Sequence, residues 1–363
     1  MIVEFPERRP WVVLVGGFLG AGKTSLILAA VRMLESRGKR CAVILNDQGD
    51  ELVDELHAEV RGALAGSVTG GCLCCKFSVL VSVIDDLSRN FPDVIFAEPV
   101  GSCTDISATV LGPLREEFDR YRIAPLTVLV DPARARELLD EGADADLAFL
   151  FRNQLREADL VCFSKADAYE ESIPSLVEFE DASAHKARRL SAKTEQGVKE
   201  WLDEILFGSL EVGRTTLDLD YGRYAQAEAA LVWLNLSFVR VPAVACSPAM
   251  AMGPLMDNLS TQLTRAGIPI LHLKMLTTSG TGWLKAAICA HGEDPEVEGD
   301  LGASPSGRHE ILVNLRAKGD ASEVRKIVEE QLQCLDGRVE RVRLACFSPA
   351  APNPERRMQH PNS

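Results

Sequence analysis

A glycine-rich stretch that ends in lysine and threonine is the segment whose residue types point most directly to chemistry. Residues 17–24 read Gly-Phe-Leu-Gly-Ala-Gly-Lys-Thr, which fits the pattern G-x-x-x-x-G-K-[S/T]. In this pattern backbone N–H groups surround phosphate oxygens, the lysine neutralises the β- and γ-phosphates, and the hydroxyl ligates Mg²⁺. The predicted phosphate-binding residues are Gly17, Gly20, Ala21, Gly22, Lys23, Thr24 and Ser25.

The residues on either side of this loop supply the elements that must position it. Residues 11–15 are an apolar, mostly β-branched run that is typical of a buried strand, and residues 26–34 have helical spacing. A helix that begins near Lys23 would direct its positive end at a bound phosphate. The alternative is an ordinary glycine-rich turn with a surface lysine, which leaves the flanking strand and helix unexplained.

A cysteine run forms a second candidate site. Residues 70–75 read Gly-Gly-Cys-Leu-Cys-Cys, and thiolates suit Zn²⁺ or Cu⁺ and, less exclusively, Co²⁺, Ni²⁺ or Fe²⁺. Cys72, Cys74 and Cys75 would leave a tetrahedral ion one ligand short, so water, a second copy of the chain or a client can take the open position. A closed structural zinc site with a distant fourth ligand competes with this interpretation. The position of the run between two predicted nucleotide-facing loops favours a transferable metal.

Two acidic residues come directly after or at the end of predicted strands. Because ligands of parallel α/β sheets bind at the carboxyl ends of strands, we expect Asp47 and Glu98 to lie near Mg²⁺ or its water shell. The N–H of Gly101 can sense the γ-phosphate, which makes its loop a switch. Asp50 is a further candidate, although a turn rich in Asn, Asp and Gly explains it almost as well.

One more cysteine follows that predicted switch. Cys103 lies two residues after Gly101, before a helix expected at residues 106–118. It can complete the thiolate set when the switch closes, but a small buried residue is the simpler interpretation.

A base-recognition loop is predicted after a later strand. Residues 164–167, Ser-Lys-Ala-Asp, are similar to the guanine-reading Asn/Thr-Lys-x-Asp loop, in which the carboxylate accepts N1–H and the 2-amino group. A site built on that pair discriminates strongly against adenine. Backbone N–H groups at residues 191–192 can reach the guanine O6. The alternative is an ATP-using kinase, in which Asp167 and Ser191 would have no role in recognising the base. The predicted base-contacting residues are Ser164, Lys165, Asp167, Ser191 and Ala192.

Composition limits the class of protein. The net charge of −14 argues against a nucleic-acid binder, which needs a basic face. No apolar run is long enough to span a membrane, and the first ten residues have a proline and charges where a signal peptide needs an apolar core. We therefore expect a cytoplasmic protein whose ten cysteines stay reduced.

Together these residues resemble the CobW–HypB–UreG family of P-loop GTPases, and most of all its CobW-type branch. The resemblance covers residues 11–207 and is most specific at the cysteine run. It implies a GTPase that delivers a metal to a client protein or cofactor pathway, often as a GTP-dependent homodimer. This chain departs from the family pattern at Asp47, where Glu is usual, at Ser164, where Asn is usual, and in the turn after Glu98.

The pattern of elements changes after residue 208. We predict a P-loop α/β domain with a mainly parallel sheet at residues 1–208 and a polar linker at 209–229. A smaller α+β ferredoxin-like domain, with one extra strand, is expected at 230–347 and a disordered tail at 348–363. The acidic stretch 292–307 is expected to be a flexible loop.

Hydrolysis of GTP is the predicted reaction. We expect Lys23, Thr24 through Mg²⁺, Glu98 and the loop amides to act at the phosphates. Gln48 is the only nearby glutamine that can be considered for positioning water, so turnover should be slow, on the order of 10⁻² per second or less. Nucleotide and metal binding should be coupled. The alternative function is a nucleotide-dependent scaffold that gates assembly of a client enzyme and has a purely structural metal.

Overall fold

The apolar runs near the start of the chain form buried parallel strands. Strand β1 is Trp11–Gly17, and β2, Cys41–Asn46, is buried along its whole length. Parallel strands need crossover connections that cover both faces of the sheet, which is why they read as continuous apolar runs. The computed structural model describes residues 9–48, 64–117, 120–169 and 187–358.

The chain divides into two compact units. The first contains Met1–Asp47, Ala58–Tyr224 and Pro352–Ser363, and the second contains Gln48–His57 and Ala225–Ala351. Among the described residues, the first unit has an eight-stranded sheet of order β3-β2-β4-β1-β6-β7-β8, with β5 also beside β1, and all its pairs are parallel. Its other strands are β3 Leu64–Val68, β4 Val94–Glu98, β5 Arg122–Ile123, β6 Thr127–Val130, β7 Leu160–Phe163 and β8 Ala187–Arg189.

Helices alternate with these strands, which confirms the predicted α/β class. The predicted helix at 106–118 begins as a π-helical turn, Ser107–Leu111, and continues as α3, Gly112–Glu117; residues 118–119 lie outside the described ranges. The other helices of this unit in the described ranges are α1 Lys23–Glu35, α2 Phe77–Ser88, α4 Pro132–Leu139, α5 Ala145–Glu157 and α6 Val198–Phe207. Helix α7, Tyr221–Ala229, contains the boundary between the two units.

The second unit has a six-stranded antiparallel sheet of order β12-β11-β10-β13-β9-β14. Strands β10, β13, β9 and β14, with one helix in each of two crossovers, reproduce the ferredoxin-like arrangement that the sequence predicts. The hairpin β11-β12 adds two strands rather than the one expected, because part of the acidic stretch 292–307 pairs as β12. The bounds are β9 Leu231–Val241, α8 Pro248–Arg265, β10 Ile270–Ser279, β11 Gly282–Ile288, β12 Glu296–Gly299, β13 His309–Lys318, α9 Ala321–Gln333 and β14 Arg338–Phe347.

The end of the chain differs from the disordered tail that its prolines suggest. Residues 352–358 belong to the first unit and make specific hydrogen bonds to it, including one from the Glu355 N–H to the Cys74 carbonyl, 3.0 Å. Composition alone could not indicate these bonds, because their partners lie far away in sequence. None of the helices in the described ranges combines the length and the apolar character that crossing a bilayer requires.

Candidate nucleotide and metal site

The predicted site residues of the first unit follow the carboxyl ends of neighbouring strands. The glycine-rich loop follows β1, Asn46 ends β2, Glu98 ends β4, and Ser164 follows β7. Because the strands are parallel and adjacent, these ends meet at one edge of the sheet.

The glycine-rich loop has a backbone path that side chains would obstruct. Gly17 has φ 134°, and a Cβ there would lie 2.3 Å from the Leu129 carbonyl oxygen. Gly22, φ 86°, precedes the first residue of α1, and Gly20 also has positive φ. Lys23 is buried and its Nζ donates to the Gly17 carbonyl, 3.0 Å. Its ammonium is therefore held within the loop. Ala21 is buried and Ser25 is exposed.

A hydroxyl, a carboxylate and an ammonium group lie together beside this loop. Thr24 Oγ1 donates to Glu98 Oε2 at 2.7 Å, and Lys23 Nζ is 3.7 Å from Glu98 Oε1. All three residues are buried. Oxygen donors such as these fit Mg²⁺, which prefers a few protein oxygens and keeps several waters. Asp47 is half-buried and its N–H donates to the Val68 carbonyl, so it follows β2 as predicted.

The loop after Glu98 packs directly against the glycine-rich loop. A Cβ on Gly101 would lie 2.7 Å from the Leu19 side chain and 3.1 Å from the Leu19 nitrogen, so this approach requires glycine. Gln154 Nε2, from α5, donates to the Gly101 carbonyl at 3.0 Å and to the Cys103 carbonyl at 2.8 Å. The predicted switch loop is thus in contact with the phosphate-binding loop.

The two predicted base loops are adjacent. The Ala166 N–H donates to the Leu190 carbonyl, which joins the loop after β7 to the loop after β8. Ser164 and Ser191 are buried, Ala192 is half-buried, and Asp167 is exposed. Lys165 has φ 54° and its Nζ pairs with Asp131 Oδ2 at 2.9 Å. Asp131, the N-cap of α4, was not singled out from the sequence.

The cysteine run does gather sulfur atoms, but not only its own. Cys72 Sγ is 2.8 Å from Cys74 Sγ, which is 3.7 Å from Cys75 Sγ. Cys103 Sγ joins them: the sulfurs of Cys72, Cys74 and Cys103 lie within 4.8 Å of one another, and all three residues are buried. Cys75 is only partly buried. Thiol groups in this number and spacing can bind a thiophilic metal ion.

Hydrogen bonding within the cluster separates the acidities of its thiols. Bonds from Cys103 first, then from Cys74 and Cys75, lower the pKa of Cys72. The bond to Cys103, followed by that to Cys72, raises the pKa of Cys74. The bond to Cys72 is the main cause that raises the pKa of Cys75 to about 11. The thiol of Cys72 therefore loses its proton more readily than those of Cys74 and Cys75, and the thiolate is the form that binds a cation.

A buried asparagine connects the cysteine loop with the switch loop. Asn46 Nδ2 donates to the carbonyls of Val68 and Gly71, at 2.8 and 2.7 Å. Its Oδ1 accepts from the N–H groups of Leu73, 3.0 Å, and Val100, 3.3 Å. The carboxamide is therefore shared between the segment that carries Cys72 and Cys74 and the segment between Glu98 and Gly101.

The bridging role of Asn46 was not predicted from the sequence. A buried Asn at the end of an apolar strand is the signal that could have indicated it, because a buried amide needs several partners. Gln48 and Asp50 are the two remaining candidates from the sequence. Gln48 Nε2 donates to Glu228 Oε2 at 3.4 Å, and Asp50 lies outside the described residues.

With this geometry established, comparison with known proteins gives the family. The model of the CobW/HypB/UreG nucleotide-binding domain matches residues 11–192. This chain belongs to the CobW/HypB/UreG family. The match spans the glycine-rich loop, the cysteine run and both base loops, and the relatives support the CobW-type branch.

This chain is similar in sequence to two zinc chaperones of Escherichia coli K12. It is 30% identical to YjiA over 173 residues, which are 44% of this chain and 51% of YjiA. It is 34% identical to YeiR over 158 residues, which are 42% of this chain and 46% of YeiR. The crystal structure of Zn(II)-bound YjiA GTPase from E. coli aligns with 18% identity and a TM-score of 0.34, covering 89% of this chain and 99% of that one. The chain spans about half the length of the curated relatives it matches.

Proposed function

We propose that this protein binds and hydrolyses GTP and uses the nucleotide state to control a transition-metal ion, Zn²⁺ in the first instance, which its cysteine cluster carries to a client protein. The family and the zinc chaperones among its relatives support this function. A metal-receiving client, assembly as a GTP-dependent homodimer and a cytoplasmic location are parts of the same proposal.

The chemistry at the phosphates falls to residues that are already in contact. Lys23, freed from the Gly17 carbonyl, would neutralise charge on the β–γ bridge, and the amides of residues 17–24 would hold the phosphate oxygens. Thr24 would ligate Mg²⁺, with Glu98 and Asp47 holding its water shell; when bound, the ion neutralises charge on the phosphates. The expected turnover stays slow, on the order of 10⁻² per second or less.

Guanine selection is assigned to the adjacent base loops. Asp167 is exposed and would accept N1–H and the 2-amino group, while the stem of Lys165 would lie along the base. The N–H groups at residues 191–192 would reach O6. Ser164 replaces the usual Asn, so its hydroxyl, 3.3 Å from the Val130 carbonyl, takes over only part of that contact.

The shared carboxamide of Asn46 is the observation that best supports coupling between metal binding and nucleotide binding. A γ-phosphate that draws Gly101 towards itself would move Val100, whose N–H bonds to Asn46 Oδ1. The same oxygen accepts from Leu73, between the first two cysteines of the run. Movement of the switch loop would thus change the positions of the thiolates, and by linkage the metal would tighten GTP equally.

Phosphate release with purified protein tests the enzymatic part. The proposal predicts slow release from GTP with Mg²⁺, little from ATP, and inhibition by GDP but not ADP. A preference for ATP would contradict the assignment of Asp167 and favour the kinase alternative. Metal analysis of protein prepared without chelator tests the second part and should find Zn²⁺ or another thiophilic ion.

Burial of the sulfurs favours one alternative, a nucleotide-dependent scaffold whose metal is only structural. Cys72 and Cys74 are 6% and 2% exposed, and a structural zinc site is closed in this way. Chelation separates the two functions. A scaffold should unfold when its ion is removed, whereas a carrier should remain folded, keep binding GDP and take up zinc again.

A further inference from the structure

The cysteine cluster contains a sulfur that the Cys-x-Cys-Cys pattern does not include. The sulfurs of Cys72, Cys74 and Cys103 lie within 4.8 Å of one another, all on buried residues. In a tetrahedral site with Zn–S bonds of about 2.3 Å, neighbouring sulfurs stand roughly 3.8 Å apart. The buried trio is therefore already close to the spacing that one ion imposes.

Cys75 has a different environment. It is partly exposed, and its sulfur accepts a hydrogen bond from the Asn353 backbone N–H at 3.2 Å. Its sulfur is still 3.7 Å from Cys74 Sγ, within the spacing of ligands to one ion. Of the four cysteines, Cys75 is thus the one that an acceptor in solution could reach while the other three keep their contacts.

Side chains form hydrogen bonds with the backbone at and just after Cys103. Gln154 Nε2 donates to its carbonyl at 2.8 Å, and the next N–H, of Thr104, donates to the Tyr224 hydroxyl at 3.2 Å. The same Gln154 nitrogen bonds the Gly101 carbonyl. The backbone that carries this sulfur is therefore hydrogen-bonded to the same side chain as the switch loop.

We propose, resting on the function proposed above, that Cys72, Cys74 and Cys103 hold the resting Zn²⁺ as buried thiolates. Cys75 is not one of the resting ligands: it binds the ion in the fourth position only during transfer and passes it to the acceptor. Binding releases thiol protons to solvent, and no oxidant or reductant is involved. Because Cys103 follows Gly101 by two residues, the γ-phosphate acts on the ion through one of its own ligands.

Titration of the full-length protein with Co²⁺ and Zn²⁺ tests the ligand set, with Cys103→Ala and Cys75→Ala compared with a control, Cys162→Ala. Cys162 is fully buried in β7 and belongs to no cluster among the described residues. Cys103→Ala should lose about a third of the thiolate-to-cobalt charge-transfer absorption of the resting site. Its zinc affinity should fall by at least about a hundredfold, because even loss of an outer partner costs 10–100-fold.

Cys75→Ala should keep zinc affinity within several-fold of the wild-type value but transfer zinc more slowly to the chelator 4-(2-pyridylazo)resorcinol. Equal affinities for Cys103→Ala and Cys162→Ala would overturn the inference. So would a Cys75→Ala affinity as low as that expected for Cys103→Ala. Absence of nucleotide-dependent zinc binding in the wild-type protein would instead remove the proposed function. Binding of a fluorescent GDP analogue reports folding, and Cys103→Ser replaces the alanine variant if that binding is lost.

Residues 352–358 form hydrogen bonds to the cysteine run. The Asn353 N–H reaches Cys75 Sγ, and the Glu355 N–H donates to the Cys74 carbonyl at 3.0 Å. The Glu355 carboxylate accepts from the N–H and hydroxyl of Ser78, at 2.8 and 3.1 Å. An acid at this position also complements the positive end of α2.

The same segment bonds to the loop that carries Cys103. Arg357 Nε donates to Asp105 Oδ2 at 2.8 Å, and the Met358 N–H donates to the Ala108 carbonyl at 2.8 Å. A Cβ on Gly112 would lie 2.6 Å from Met358 Cγ, so glycine makes room for this methionine. Residues 352–358 therefore join the two segments that supply the four sulfurs.

We infer that this segment is a clasp that limits access to Cys75 and must detach when the ion leaves. Removal of residues 352–363 should raise the rate of Cys75 alkylation in the apo protein, and of zinc transfer to the chelator, by about tenfold or more, because the hydrogen bonds that hold residues 352–358 against the cysteine run are lost. Arg357→Ala should give a smaller rise. Removal of residues 359–363 alone is the control, because it keeps the hydrogen bonds that residues 352–358 make.

Alkylation is read at Cys75 by peptide mass, so the result does not depend on metal carriage and is independent of the function proposed above. Binding of the fluorescent GDP analogue again reports folding, and Arg357→Ala decides the question if the longer truncation does not fold. Alkylation rates equal to those of the control would overturn the clasp.

Discussion

Buried polar side chains occupy different positions in the two sheets. In the first unit Lys23, Asn46 and Glu98 are buried at or just beyond the carboxyl ends of strands. In the second unit the buried Asn235 and Asn314 lie in the middle of strands and bond across them, Nδ2 of Asn314 to Oδ1 of Asn235 at 2.8 Å. The amide pair in mid-strand bonds across the second sheet, whereas Asn46 and Glu98 at strand ends bond to loops that we expect a ligand to move.

Substitution of one buried lysine in each unit is the strongest test of this difference between the two sheets. Lys23→Ala removes the group placed at the phosphates and should lower GTP hydrolysis on the order of 10²–10³-fold, the usual cost of one transition-state donor. Lys285→Ala removes a lysine of β11 that is also buried, at 8% exposed, and should leave the rate within about twofold. Phosphate release measures both. A similar loss of GTP hydrolysis in the two variants would mean that the position of Lys23 beyond a strand end does not explain its effect.

Base selection should be the next largest effect. Asp167→Asn removes a carboxylate that we assign to guanine, and the preference for GTP over ATP should fall about tenfold to hundredfold, the cost of leaving polar groups unpaired. Asp203→Asn, at an exposed position of α6 paired with Lys199, is the control. Competition between the nucleotides and a fluorescent GDP analogue measures the preference, and an unchanged ratio would remove guanine recognition from this loop.

Matched asparagines test the bridging role directly. Asn46→Ala and Asn314→Ala each remove a buried carboxamide together with its hydrogen bonds, and should each lower the free energy of unfolding by about 1–3 kcal/mol. Only Asn46→Ala should also abolish the difference in zinc affinity between the GTP-analogue and GDP states. Denaturant unfolding and metal titration separate the two effects. Retention of that difference in Asn46→Ala would show that the carboxamide stabilises the fold and does no more.

The smallest effect is a dependence of stability on pH. Burial raises the pKa of Glu157 to about 8, against hydrogen bonds from Ser107 and Thr104 that lower it. Between its ordinary pKa and pH 8 the folded protein retains a proton that the unfolded chain releases, so stability should fall as pH rises, by at most about 1.4 kcal/mol per unit. Glu157→Gln should flatten this slope in denaturant unfolding between pH 5.5 and 8. An unchanged slope would assign it to other groups.

The regular elements and the glycine-rich loop could be predicted because their signals are local. β1, β9 and α8 follow from apolar spacing and caps, and the loop follows from its motif. β12 was missed because Glu296–Gly299 is short, acidic and at a sheet edge, where charged residues are normal. Its composition is that of a loop, and only the neighbouring β11 makes it a strand.

The connections within the site could not be predicted, because they join residues that are distant in sequence. The bond between Asn46 and Val100 spans 54 residues, and the bond between Asn353 and Cys75 spans 278. No periodicity or motif reports such contacts. Cys103 is a candidate from the sequence because it follows Gly101, but its proximity to Cys72 and Cys74 depends on β3 and β4 both lying beside β2.

The affinity for Zn²⁺ in two nucleotide states tests the central claim most directly. Full-length protein is titrated with zinc against a competing chelator, with Mg²⁺ and either GDP or a non-hydrolysable GTP analogue. Coupling between distinct sites typically amounts to 1–3 kcal/mol, so we predict binding at least about fivefold tighter with the GTP analogue. Equal affinities in the two states would contradict the account, because the cysteine cluster would then not respond to the γ-phosphate.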